Sequence, residues 1–279
     1  MSNFKMLAMA SAAVGLTVVA ANAADLGPYP APVPVPVPVL HDYSGWYLRG
    51  DIGASNAQVK SLDLVPLPAS FLGETITTPF LGFESSPFFR LGAGYQVNNW
   101  LRIDGTGEYR ANAYFHGQQV ESQGGVTLPD DYTANYSSWL FLANAYVDLG
   151  TWYCITPFLG AGVGGSYNTI SNFMDAGATQ SGATILSTTY FDTHSQWSFA
   201  WALYAGLSYQ VTPGFSVELT YRYLDLGNAQ TGTPHAFDGT VIPTSPFQFK
   251  DITSSDFMLG MRWNLGEPLA PPPPLVRKG

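Results

Sequence analysis

Twelve charged residues set how the whole chain reads: Arg49, Asp51, Arg90, Arg102, Asp104, Glu108, Arg110, Asp148, Glu218, Arg222, Asp256 and Arg262. Each lies in a short stretch where about every second residue is apolar, and each belongs to the other set. From Trp100 to Arg110, Leu101, Ile103 and Tyr109 alternate with Arg102, Asp104, Thr106, Glu108 and Arg110. Period two is that of a pleated strand, whose successive side chains point to opposite faces. The charges therefore share one face and the bulky residues the other. Six arginines stand against six carboxylates. Gathered around a common interior, they could line a path that selects ions by charge. They could equally pair into a salt-bridge network that fills the interior. Buried charges are tolerable only when paired, and the matching numbers favour the filled interior.

Other chemistry finds little support. Hydrolysis or acyl transfer needs a nucleophile beside a positioned base. The nearest approach is His194-Ser195 with Asp192 close in sequence, which is no evidence of shared geometry. The chain has no nucleophile elbow, H-E-x-x-H or phosphate loop, so a non-enzymatic protein is expected. His116, His194 and His235 fall in three separate connections, with no spacing that marks a metal. No cofactor is expected, and haem held at a rim is the third reading, after the filled barrel and the channel. Cys154, the only cysteine, cannot form an intramolecular disulfide and reads as a small packed side chain. A formal net charge of −9 excludes non-specific nucleic-acid binding as a likely role.

The elements that must position the charges are strands. The clearest runs from Trp197 to Leu226. Trp197, Phe199, Trp201, Leu203, Leu207, Tyr209 and Val211 share one face, and after the turn Thr212-Pro213-Gly214 the alternation resumes with Val217, Leu219, Tyr221 and Tyr223. Similar segments are Gly45 to Asn56, Phe88 to Val97, Trp100 to Arg110, Ser138 to Leu149, Tyr153 to Tyr167 and Ser255 to Leu265, eight strands in all. Short turns lie at Asn98-Asn99, Gly150-Thr151 and Thr212 to Gly214. Long polar connections are expected at roughly 57–86, 111–136, 168–195 and 227–254, far beyond hairpin length.

Short connections at one end and long ones at the other, with an apolar face bounded by aromatics, describe an eight-stranded antiparallel up-and-down barrel in a membrane. Closure removes unpaired edges, which lipid cannot solvate. Ala183 to Phe191 could add a strand, so ten strands is the alternative. Residues 1–23 read as a secretory signal: Lys5, an apolar run, then Ala21-Asn22-Ala23 as a cleavage site. Residues 24–44 are a Pro-rich linker that reads as a stiff spacer, with a docking site for a periplasmic partner as the alternative reading. Residues 45–265 are the barrel and 266–279 a Pro-rich tail. The acidic residues of the long connections read as solvated. They would meet anionic lipopolysaccharide only through divalent cations.

Gly45-Trp46-Tyr47-Leu48-Arg49-Gly50-Asp51-Ile52-Gly53 and Pro157-Phe158-Leu159-Gly160-Ala161-Gly162-Val163-Gly164 resemble the small outer-membrane β-barrel "porin family" surface proteins of alpha-proteobacteria, relatives of the opacity and OmpA-like barrels. The resemblance covers about 45–265. It implies a structural, envelope-stabilising and surface-presenting role, with outer-membrane lipids and lipopolysaccharide as surroundings. A narrow channel for passive diffusion of ions or small solutes is the alternative. The closing Gly260, Trp263 and Leu265 resemble the signal by which the barrel-assembly machinery recognises its clients.

Overall fold

The computed structural model describes residues 44–66, 75–123, 126–180 and 184–265. The signal-like segment, the Pro-rich linker up to residue 43 and the tail 266–279 lie outside the described residues. Alternation makes the chain strand almost throughout, and no helix occurs among the described residues. In chain order the strands are β1 (Gly45–Gln58), β2 (Ser61–Leu64), β3 (Thr75–Phe83), β4 (Ser86–Gln96), β5 (Leu101–Gln123), β6 (Val126–Asp148), β7 (Ile155–Gln180), β8 (Thr184–Phe191), β9 (His194–Thr212), β10 (Phe215–Gln230), β11 (Pro234–Ala236) and β12 (Phe247–Asn264). Eight of them form an antiparallel ring in the order β7-β6-β5-β4-β1-β12-β10-β9, which pairing of β7 with β9 closes. The backbone N–H of Leu265 donates to the carbonyl of Trp46 at 2.8 Å, so both ends of the ring's chain meet at one mouth.

The faces sort by polarity in the sense opposite to a water-soluble barrel. On β9, Trp197, Phe199, Leu203, Leu207, Tyr209 and Val211 are exposed, whereas Ala200, Ala202, Tyr204 and Ser208 are buried. An apolar exterior of this kind is stable against lipid. Aromatic pairs bound the band. Trp46–Tyr95 (5.5 Å) and Phe215–Trp263 (5.1 Å) lie near the mouth that holds the chain ends, and Tyr109–Trp139 (4.8 Å) and Tyr167–Trp197 (5.1 Å) toward the other. From Trp139 to Leu149 along a tilted strand the band rises about 25 Å, the height of a lipid-facing barrel surface.

Beyond the band the four long connections prove to be mostly strand. β5 and β6 continue as a hairpin to Gln123 and from Val126, β7 continues to Gln180, β8 folds back on it, and β12 starts at Phe247. Here the exterior is water, so the apolar side chains turn inward. Phe83, Phe115, Tyr132, Tyr136, Phe173, Phe191, Phe247 and Phe249 form a buried aromatic core, with Phe115–Phe249 at 4.8 Å and Phe173–Phe191 at 5.0 Å. The result is a tower standing on the barrel. Asp130, Asp131, Asp175 and Asp251, expected in loops, belong to its strands.

β8 covers the segment weighed as an added barrel strand. It pairs with Phe173–Gln180 of β7 and with β11, above the stretch of β7 that pairs with β9. The ring therefore stays at eight, and the ten-stranded alternative fails because the extra strand sits over the ring instead of in it. At the opposite end, β7 begins at Ile155, because Tyr153 (φ 50°) and Cys154 (φ 67°) are left-handed turn residues. Cys154 is exposed, not packed, since the turn carries it out of the sheet.

Candidate functional site: two charge clusters in the lumen

Strand register places the inward residues in rows. Asp51 on β1 stands opposite Arg90 on β4 and Gly260 on β12, and Gly260 stands opposite Glu218 on β10. A Cβ on Gly260 would strike the Asp51 carboxylate, and one on Gly94 would strike the Tyr47 ring. These glycines give long side chains the space to cross the lumen.

All twelve charges singled out in the sequence face this interior, and the geometry divides them into two groups of equal and opposite charge. In the group nearer the chain ends, Arg49 reaches Asp51 (2.8 Å), Asp104 (3.1 Å) and Glu218 (3.2 Å). Arg90 Nε donates to Asp51 (2.9 Å), and Arg102 reaches Asp148 (2.8 Å) and Glu218 (2.9 Å). Arg262 completes the group at 3.0 Å from Glu218. In the group nearer the tower, Arg222 lies 2.6 Å from both Glu108 and Asp256, and Arg110 lies 2.9 Å from both. Every side chain in the two groups is almost fully buried, and the most exposed of them, Asp148 and Arg262, still show the solvent a tenth of their surface or less.

Neutral residues complete the clusters. The Tyr47 hydroxyl donates to Asp104 (3.1 Å), Asn144 Nδ2 donates to Asp104 (2.7 Å), and the Tyr204 hydroxyl donates to Asn144 (2.9 Å). The Ser254 hydroxyl donates to Asp256 (2.6 Å), and Arg262 donates to Gln96 (3.1 Å). Aromatic faces cover the guanidiniums, with Arg102 at 4.9 Å from Phe158 and Arg110 and Arg222 each at 5.0 Å from Phe88. Sequence reasoning by charge alone passed over these residues. Their signal was register, since Tyr47 stands two positions before Arg49 and Tyr146 two before Asp148. Within the lumen, Arg90 Nη1 and Nη2 and the Tyr146 hydroxyl are buried with no protein partner.

The histidines do not assemble a catalytic set. Asp192 meets His235, with Nε2 to Oδ2 at 3.0 Å, and the Ser195 hydroxyl is hydrogen-bonded to Thr169 at 2.8 Å. The other nitrogen of His235 lies 3.3 Å from the carbonyl of Gly239. Both partners accept only, so the ring can bond both at once only when protonated, and the hydrogen bond to Asp192 raises its pKa. The His116 ring packs at 5.7 Å on Phe80. Among the described residues no group of three or more His, Cys, Asp or Glu is placed to hold a metal ion. Of the three residues resembling an assembly signal, Gly260 faces the lumen, Trp263 packs on Phe215 outside, and Leu265 is exposed beyond β12.

The chain is similar to several known proteins. A Brucella suis protein described only as uncharacterised is 34% identical over 203 residues, 67% of this chain and 70% of its own length. A candidate adhesin of Rickettsia bellii is 27% identical over 197 residues, 69% of this chain and 77% of that one. The crystal structure of neisserial surface protein A aligns with a TM-score of 0.41 and 19% identity, covering 80% of this chain and 98% of that one. Residues 11–264 match the family described as "Outer membrane protein beta-barrel domain". The chain belongs to that outer-membrane β-barrel family.

Proposed function

We propose that the protein is a non-enzymatic barrel whose lumen is closed by its own charges and whose tower presents a stiff surface outside the cell. One observation carries this reading: each of the twelve lumen charges has an opposite charge no more than 3.1 Å away. An interior so matched in sign and so dehydrated has no row of free charges to pass ions along. Above it the aromatic core of the tower adds a second, apolar obstruction. A tower of paired strands holds its outer side chains in fixed positions, which suits recognition, and the adhesin description of the Rickettsia relative points the same way. The barrel would stabilise the envelope through its contacts with outer-membrane lipids and lipopolysaccharide. Its signal would be cleaved near Ala23, its insertion would follow from Gly260, Trp263 and Leu265 read by the barrel-assembly machinery, and the Pro-rich segment would supply any periplasmic contact.

The second reading is a narrow channel. It is favoured by the unpartnered Arg90 nitrogens and Tyr146 hydroxyl, which would hold water in the lumen. Single-channel recording of the refolded protein in a planar bilayer separates the two. A folded barrel, verified by heat-shifted gel mobility, should be silent. Discrete steps whose ion selectivity shifts on Arg102→Gln would establish the channel.

A further inference from the structure

Two features coincide on one flank of the barrel exterior. The first is an apolar groove of ≈ 790 Å³ in the lipid-facing surface, walled by Ile52, Phe89, Tyr109, Leu219, Phe257 and Leu259, with Ala111 leaving it open on β5. The second is a pair of cations. Among the described residues, Lys60 and Lys250 are the only lysine or arginine side chains outside the lumen. They are neighbours, since the Lys60 backbone N–H donates to the Lys250 carbonyl at 3.2 Å. Both continue strands that wall the groove, Lys60 just past the end of β1 and Lys250 on β12.

The heights match a lipid. From Ile52 to Lys60 the chain rises about 20 Å along a tilted strand. One leaflet accounts for about 15 Å of hydrocarbon. The lysines therefore stand just above the headgroups, and their flexible stems let the ammonium groups reach down. Lys60 pairs with Asp251 (3.0 Å) and Lys250 with Asp63 (3.1 Å), all four exposed. Exposed pairs of this kind are weak, and each ammonium has three donors, so both lysines retain protons for a phosphate. Apart from His235, which Asp192 and the Gly239 carbonyl hold, the other charges on the described exterior are acidic, which makes this flank the one place where a phosphorylated lipid meets a pair of ammonium groups.

We propose that this flank docks a phosphorylated, multiply acylated glycolipid of the outer leaflet, lipid A in chemical class, with an acyl chain in the groove and a phosphate on the lysine pair. The inference needs only the membrane placement of the barrel and holds whether or not the lumen conducts. The test is native mass spectrometry of the full-length protein refolded in detergent and titrated with purified lipid A. Lys60→Gln/Lys250→Gln should bind lipid A about tenfold or more weakly, at roughly a kilocalorie per basic residue. Ala111→Phe, which fills the groove, should weaken binding similarly, and Asp63→Asn/Asp251→Asn should not weaken it. Heat-shifted mobility certifies that each variant is folded, and the lysine pair decides if the groove variant fails to fold. Undiminished binding by the lysine variant would overturn the proposal. So would equal affinity for phosphatidylglycerol, or loss of binding in the aspartate variant, which would mean bridging by divalent cations.

Discussion

Arg222 is the point at which the sealed-lumen reading is most exposed to test. It donates Nη1 to Glu108 Oε2 at 2.7 Å and Nη2 to Oε1 at 2.6 Å, and shares Asp256 with Arg110. Arg222→Met leaves two buried carboxylates facing Arg110 alone, an uncompensated negative charge away from water. Breaking a buried pair in this way costs about 3–5 kcal/mol. Glu108→Gln together with Arg222→Met restores neutrality and keeps Arg110 against Asp256. Replacing both members of a buried pair is often close to neutral, so the double variant should be more stable than the single one. The coupling in a double-mutant cycle should be about 2–3 kcal/mol. Urea unfolding from lipid vesicles, followed by the fluorescence of the lipid-facing tryptophans, reads these values. If Arg222→Met costs less than about 1 kcal/mol, the level expected of exposed pairs, water already reaches the cluster and the sealed lumen is wrong. A double variant as unstable as the sum of its singles would show that the charges do not act as a unit.

Other consequences can be measured alongside it. Gly94→Val drives a side chain into the Tyr47 ring and the Asp104 stem and should cost about 3 kcal/mol or more, read as loss of the heat-shifted band. Phe249→Ala removes a ring packed on Phe115 and Phe173, a loss of about 3–5 kcal/mol. That loss should speed protease cleavage of the tower and leave the membrane band protected. His235 has a raised pKa, chiefly through Asp192. Its tether is therefore fully formed below the ordinary histidine value of about 6.5 and is lost as pH rises through the raised value. Amide exchange in residues 232–241 should quicken over that window, and His235→Gln should flatten the profile.

Much of the lumen was legible because a strand's period is short and exact in its consequences. Once Leu101, Ile103 and Tyr109 are assigned outward, Arg102, Asp104 and Glu108 must face in, and no further information is needed. Pairing was not legible. That Arg49 meets Glu218, or that Glu108 serves Arg222 and not Arg90, its neighbour across β4 and β5, depends on side chains crossing the lumen, which no single strand encodes. The same holds for Asp192, whose partner His235 arrives from β11 and not from the adjacent His194.

The tower was missed for a different physical reason. A sheet that passes from lipid into water must exchange its faces, with apolar residues outside in the membrane and inside above it. Strict alternation cannot do this, so the chain inserts a residue. On β5, Arg110 and Ala113 both face inward, with Ala111 and Asn112 between them, and the pairing with β6 slips there. β10 slips against β12 between Asp225 and Ala229, around Gly227 at φ 69°. Such bulges shift the phase of everything beyond them. Read without the slip, Ala113, Phe115 and Gly117 would continue the outward stripe of Leu101, Ile103 and Tyr109, so their inward packing is hidden and the polar residues between them look like loop. The slip is also what lets one continuous strand serve two solvents. The outer tip of the protein is therefore an extension of the barrel wall, and a partner that meets it meets paired backbone and fixed side chains.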